Sequence, residues 1–132
     1  MLISEGIMFL KEQGVKERKN FYFFDAGGAI GENIIGVIAG MAYGARVVPP
    51  NKPILAFADD RDDPSFVKLS GRANWGLVRR GLHLGNALRE ESSKLGGEGG
   101  GHDIAAGARI PKSKREEFLE NIDQKIGQQL KK

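Results

Sequence analysis

The sequence predicts a single α/β or α+β domain with a mixed central β-sheet flanked by helices, and three observations carry that prediction. The chain has 132 residues, the length of one domain with a core of its own. Short apolar or alternating runs of strand length, at residues 21–24, 54–58 and 66–70, are interleaved with segments whose apolar residues recur at helical spacing. Glycine accounts for 19 residues, about twice the ordinary ~7%. With no cysteine and only five prolines, those glycines bend a globular backbone and build neither collagen nor a disulfide scaffold.

Taken in order, Ile3, Ile7 and Leu10 predict a first helix ending near Gly14. Residues 16–20 read as a polar linker, the aromatic run 21–24 as a strand, and Asp25-Ala-Gly-Gly28 as a turn. Residues 32–43 predict a largely buried helix carrying Ile34, Ile35, Val37, Ile38 and Met41. Its Gly36, Gly40 and Gly44 recur every fourth residue and predict close packing of that helix on the sheet. A proline-rich connection, 49–53, leads into the strand 54–58; residues 59–64 make an acidic turn, and 66–70 alternates as a third strand. A helix over 84–95 places Leu84, Leu88 and Leu95 on one side. The run Gly-Gly-Glu-Gly-Gly-Gly at 96–101 reads as a glycine-rich loop before a short helical turn at 102–107, with a last strand at 108–110. Ser113 and Glu116 form a capping box opening a final helix whose apolar stripe is Phe118, Leu119, Ile122, Ile126 and Leu130.

Lys+Arg is 20 against Asp+Glu 17, a formal charge of +3, so basic residues serve a polyanion only where they cluster. The lack of cysteine removes thiolate nucleophiles and Cys-based zinc sites, and two histidines cannot build a multi-histidine metal cluster. The longest apolar stretch, 34–45, is broken by glycines and falls short of the ~20 residues a bilayer requires. The expectation is a cytoplasmic protein with no membrane partner.

Three features could do chemistry. In the first, consecutive glycines Gly99, Gly100 and Gly101 let backbone N–H groups converge on an anion, a helix start behind them adds its positive dipole end, and His102 supplies a further donor. The run is neither a Walker A motif nor a G-x-G-x-x-G fingerprint. The second is basic: Ser70-Gly-Arg72-Ala-Asn74-Trp75 followed by Arg79 and Arg80. Arginine's planar fork suits phosphate, and Trp75 is balanced between stacking on a base and filling a core. The third is the acidic turn of Asp59, Asp60, Asp62 and Asp63, a carboxylate set that could hold Mg2+ or Mn2+ but that strand-connecting turns favour for backbone reasons alone.

The element Gly-Gly-Glu-Gly-Gly-Gly-His-Asp-Ile-Ala-Ala-Gly, 96–107, resembles the glycine–histidine signature of the DHH-associated C-terminal domain of DHH phosphoesterases. Ser-Gly-Arg-Ala at 70–73, Leu-Val-Arg-Arg-Gly-Leu-His-Leu-Gly at 77–85, Asp25-Ala-Gly-Gly and Glu32-Asn-Ile-Ile-Gly36 resemble its archaeal RecJ-like exonuclease branch, over about residues 21–120. His83 stands where that branch would carry an acidic or polar residue and is given no role. The resemblance implies a substrate-binding domain at 20–132, with residues 1–19 as the connecting segment to an N-terminal DHH catalytic domain. In that family the Mn2+ or Mg2+ ions sit on D-x-D and Asp-His-His motifs. This sequence has no adjacent histidines, and its one D-x-D, Asp60–Asp62, lies in the turn. No catalytic residue, resident metal or cofactor is therefore expected in this chain, which alone should be inactive.

By the same likeness Arg72 and His102 hold a substrate phosphate, cradled by Gly99, Gly100 and Gly101, with Ser70, Ala105, Ala106 and Gly107 completing the substrate-binding set. Asn74, Trp75, Arg79, Arg80 and Arg109 are further candidate nucleic-acid contacts, whereas Lys131 reads as part of a distal tail. The expected partner is single-stranded DNA or RNA. Two alternatives stand beside it: a short oligonucleotide or cyclic dinucleotide held by the same residues, or a protein-interaction module binding replication proteins or a second copy of the chain.

Overall fold

The computed structural model describes residues 2–131. Six strands form one sheet and five helices cover it: α1 (Ile3–Gln13), β1 (Lys16–Glu17), β2 (Tyr22–Asp25), α2 (Ile35–Met41), β3 (Ile54–Asp59), β4 (Phe66–Arg72), α3 (Trp75–Arg79), α4 (Leu84–Lys94), β5 (Glu98–Gly101), β6 (Ala105–Pro111) and α5 (Arg115–Leu130). The strand order is β1-β2-β3-β4-β6-β5. Only β2 and β3 run parallel; every other neighbouring pair is antiparallel. Of the α/β and α+β classes the sequence allows, the structure is α+β, with the predicted mixed sheet.

Alternation along the strands divides the core into two layers. Phe21, Phe23, Leu55, Phe57, Val67 and Leu69 pack with residues of α3, α4 and α5 on one face. Tyr22, Phe24, Ile54 and Ala56 pack with Leu10 of α1 and Ile35 and Ile38 of α2 on the other. The stripe of α5 is as expected: Phe118, Leu119, Ile122 and Ile126 have no exposed surface. Gly14 ends α1 with φ of 80°, a conformation that glycine adopts without steric cost.

Several local expectations are corrected. Residues 16 and 17 are not linker but an edge strand paired with Phe23 and Tyr22. The second helix is shorter than 32–43, because its first turn, 31–34, is irregular. Ser113 does not cap α5; it lies in a 3-10 turn, Lys112–Lys114, and no side chain caps the helix. The largest correction concerns the glycine run. Glu98–Gly101 is the edge strand β5, hydrogen-bonded to β6, and no helix follows it. The last strand accordingly begins at Ala105, not at 108.

Sterics explain why glycines make that strand. A Cβ at Gly99 would lie 2.9 Å from both Ala108 Cβ and Ser92 Oγ, and one at Gly101 would lie 2.7 Å from Ala106 Cα. Gly85 of α4 meets the Gly101 carbonyl oxygen so closely that a Cβ there would overlap it. Gly85→Ala should therefore destabilise the domain by about 1–3 kcal/mol, the usual cost of overpacking. Gly44→Ala, with nothing nearer than 3.9 Å, should be neutral or stabilising by up to about 1 kcal/mol. Urea denaturation of the two variants measures the contrast.

At the opposite end of the sheet, Asp60 turns its carboxylate inward. Its Oδ1 accepts the backbone N–H groups of Asp62 (2.9 Å) and Asp63 (3.3 Å), and its Oδ2 accepts Arg109 Nε (2.5 Å). The Arg109 guanidinium in turn lies 3.7 Å from the Phe66 ring centroid. The hydrogen bond from Arg109, followed by those backbone donors, holds the Asp60 carboxyl below its ordinary pKa. A folded-state pKa below the unfolded one gives stability that is present above about pH 4 and lost as pH falls through the folded value. Asp60→Asn should flatten that acid limb, as read from the urea midpoint followed between neutral and acid pH.

Candidate functional site

Successive residues of β4 point to opposite faces. Val67, Leu69 and Gly71 face α4, while Lys68, Ser70 and Arg72 face α2. Strand register extends the second set across the sheet in three rows. Lys68 aligns with Arg109 and then Glu98, Ser70 with Gly107 and then Gly100, and Arg72 with Ala105. The third row continues into the β5–β6 turn, where the His102 N–H donates to the Ala105 carbonyl at 2.8 Å.

Because α2 packs over β3 and β4 and makes no comparable contact with β5 or β6, the rows run out onto an uncovered part of the sheet. The result is a groove of about 460 Å³ whose wall includes Glu32, Lys68 and Arg109 and whose floor includes Ser70, Gly100 and Gly107. The middle row has almost no side chains, so a flat group can approach the backbone. In the third row, Arg72 and His102 are two strand spacings apart, about 10 Å, with only the Ala105 methyl between them.

Arg72 is half-buried and makes no ion pair among the described residues. Its Nη1 donates to the Gly71 carbonyl at 2.8 Å. A Cβ on Gly36 would come within 2.5 Å of its Nη2 and 3.2 Å of Ser70 Oγ, and one on Gly40 within 3.7 Å of its Cγ. The glycine spacing of α2 thus clears a space for this guanidinium, a more specific service than helix–sheet packing in general. Burial lowers the Arg72 pKa from its ordinary value, yet a guanidinium keeps its charge in proteins. An anion that adds charge-assisted hydrogen bonds here meets donors already stripped of part of their water.

The expected helix dipole behind the glycines is absent. The N-terminus of α4 faces the turn instead, with Leu84 N–H donating to the Asp103 carbonyl and Gly85 N–H to the His102 carbonyl, both at 3.0 Å. These bonds lock the turn and leave the His102 side chain exposed. His83, given no role from the sequence, caps α4: its Nδ1 accepts the Asn86 N–H at 3.0 Å.

The structure therefore brings together Ser70, Arg72, Gly100, His102, Ala105 and Gly107. Ala106 faces the other way, into the core beneath α4; Gly99 lines the groove with its backbone while a side chain there would point toward Ser92, and one at Gly101 would point at Ala106. Asn74 is occupied as the cap of α3, accepting the Leu77 N–H and donating to the Pro50 carbonyl. Trp75 is no core residue; it is 56% exposed. Arg79 and Arg80 are exposed at the far end of α3, and Arg109 lines the groove with its guanidinium committed to Asp60. Sequence reasoning missed the Lys68–Glu32 ion pair (3.0 Å) on the groove wall. Only their separate reading as strand and helix residues hid it.

The acidic turn does not fit a divalent cation. Asp60 is spent on Arg109 and on its own turn, and no three His, Asp or Glu side chains converge to hold a metal among the described residues. No helix among them is long and apolar enough to cross a membrane.

Known proteins share this fold. An uncharacterised protein of Methanocaldococcus jannaschii is 36% identical over 123 residues, which make up 93% of this chain and 25% of that protein. The chain thus spans a quarter of that relative's length. Among solved structures, RecJ of Thermus thermophilus in complex with Mn2+ superposes with a TM-score of 0.66 at 17% identity, covering 96% of this chain and 16% of that one. The pGpG-specific phosphodiesterase PggH of Vibrio cholerae gives 0.62 at 14% identity, covering 96% and 41%. The C-Ala domain of Aquifex aeolicus alanyl-tRNA synthetase gives 0.63 at 12%, covering 84% and 96%. These likenesses carry the fold. Residues 27–128, from the turn after β2 almost to the end of α5, match the family model of the DHHA1 domain, and this chain belongs to that family.

Proposed function

We propose that this chain is the nucleic-acid-binding domain of a RecJ-like DHH phosphoesterase and that it grips single-stranded DNA or RNA by a phosphate held between Arg72 and His102. The observation that carries the reading is Arg72 itself: a half-buried guanidinium with no carboxylate partner, aligned through Ala105 with an exposed histidine. The two N–H groups of an arginine fork match two phosphate oxygens, and His102 supplies a third donor. The Gly107–Gly100 floor lets the sugar–phosphate backbone lie against the sheet. This is a binding role, with no proton moved at phosphorus by either side chain. Residues 1–19 would lead from a catalytic domain that holds Mn2+ or Mg2+, and the purified chain, given a single strand and Mn2+, should leave the strand intact. Metal-dependent cleavage by the chain alone would overturn that division of labour.

The same geometry could take a short oligonucleotide, as the likeness to a pGpG-specific phosphodiesterase favours; a strong preference for long strands over dinucleotides distinguishes the two. Binding followed against salt tests the phosphate grip. Two to four phosphate contacts predict a slope of log K on log salt of about −1.5 to −3, and Arg72→Ala should flatten it by ~0.7. His102→Ala should weaken binding by about 1–3 kcal/mol, as for one charged hydrogen bond, without lowering the thermal midpoint. Binding indifferent to salt would favour instead a protein partner docked on the exposed Leu2, Met8, Val37 and Met41.

A further inference from the structure

The ion-pair pattern of the fold leaves a second basic surface unexplained. Arg18, Lys52, Lys68, Lys94, Arg109, Lys114, Arg115 and Lys125 each meet a carboxylate. Lys19, Arg79, Arg80 and Lys131 belong to the cations that make no ion pair among the described residues, and topology gathers these four at one end of the molecule. Strand β2 begins just after Lys19, and β4, antiparallel to β3, finishes at Arg72 at that same end. The helix α3 starts three residues beyond Arg72 and is followed directly by Arg80. The helix α5, about 24 Å long, starts beyond the far end of β6 and returns to deliver Lys131.

Lys19, Arg80 and Lys131 line one concavity of about 400 Å³, together with Asn20, Asp123 and Gly127. Asp123 is its one carboxylate, and Asp123 Oδ1 already accepts the Asn20 N–H at 2.8 Å. Gly127 lets Asn20 sit against α5, since a Cβ there would lie 2.8 Å from Asn20 Nδ2. The negative end of α5 accounts for a lysine at its C-terminus, but not for Lys19 and Arg80 converging from two other elements. Three cations against one carboxylate among the described residues leave the concavity positive, and a positive concavity favours an anionic ligand. Trp75, between Arg72 and Arg80 in the chain, is 56% exposed at the start of α3.

We propose that Trp75, Arg79, Arg80, Lys19 and Lys131 form a second strand-binding surface: Trp75 stacks a base, and the concavity takes a phosphate further along the same single strand that Arg72 holds. The proposal rests on the reading of Arg72 and His102 as a phosphate grip, and it makes length the feature by which the domain selects its ligand. Base stacking on an exposed aromatic tolerates any sequence, so no base preference is implied. Lys131 is on this surface and not on a distal tail, because the return of α5 brings it beside Lys19 and Arg80.

The test uses the full chain with two probes, a thymidine dinucleotide and an oligothymidylate of about 12 residues, within the usual site size of a small single-strand-binding fold. The double variant Lys19→Ala, Arg80→Ala should lose about tenfold in affinity for the long probe, with a salt slope flatter by ~0.7–1.4 for one or two lost contacts, and keep its affinity for the dinucleotide. Trp75→Ala should show the same selectivity for the long probe with an unchanged salt slope. Lys11→Ala, removing an exposed charge on α1, should alter neither probe. If the double variant and Trp75→Ala bind the long strand as the native chain does while Arg72→Ala abolishes binding of both probes, the second surface is overturned and the phosphate grip stands. If the native chain binds both probes equally, the second surface is again overturned; if it binds neither, the reading of Arg72 and His102 falls with it.

Discussion

The last strand of the sheet exists because nothing projects from its backbone. β5 is wedged between β6 and α4 at distances that admit no Cβ at Gly99 or Gly101, and Gly85 on α4 meets its final carbonyl with equal closeness. That fit fixes the turn that follows. With the carbonyls of His102 and Asp103 taken up by the first N–H groups of α4, the turn is tied to a helix rather than free to wander. His102 consequently stands in line with Arg72, in a position set by rigid elements. The glycine run is thus a positioning device before it is a binding surface, and of its three consecutive glycines only Gly100 lies in a groove-facing row.

How much of this was legible follows from what each element depends on. The helices α1, α4 and α5 depend on their own apolar stripes, and their periodicity located them within a residue or two. β5 depends on its neighbours. Glycine has little intrinsic preference for strand, so local patterning reads 96–101 as loop, and only pairing with β6 makes it a strand. β1 is two residues long and takes its identity from Phe23 and Tyr22 across the ladder. Among the candidate site residues, Ser70, Arg72, His102 and Gly107 come from short motifs that strand pairing brings into neighbouring rows. Ala106 comes from the same glycine–histidine element and faces the opposite way, because neighbours in a strand never share a face. Asn74, read as a candidate contact, serves as a cap. Lys131 looked remote because sequence distance hides the return of a helix.

On the proposed reading, Arg72 marks the difference between a cation that builds the fold and one kept for a ligand. Arg109 and Arg72 are both β-strand arginines on the same face of the sheet. Arg109 is satisfied from within, by Asp60 and the Phe66 ring, and its charge helps to hold the acidic turn against the sheet. Arg72 receives clearance instead of a partner: two glycines on the helix above it and one carbonyl from its own chain. Supplying a carboxylate would have removed the desolvation cost and with it any reason to bind an anion.

The same logic explains how a domain of formal charge +3 could serve the polyanion proposed for it. Its net charge is small because 20 basic residues stand against 17 acidic ones, but the two signs are unevenly placed, and many of the cations pair locally with carboxylates. Asp60 and Asp63 of the acidic turn, with Asp25 and Arg115, fill one end of the sheet with mutual ion pairs. The opposite end receives Arg72, Arg79, Arg80, Lys19 and Lys131, none of them in an ion pair among the described residues; of the carboxylates there, Glu17 is paired with Lys52 and Asp123 lines the concavity with Lys19, Arg80 and Lys131. Asp123 already accepts a backbone N–H. Strand direction does this sorting, since β4 ends and β2 begins on that side. Over the ~24 Å length of β4, more than two Debye lengths at physiological salt, the two ends are electrostatically separate. What a phosphate backbone meets is therefore the local charge of one end, and the total for the chain says almost nothing about it.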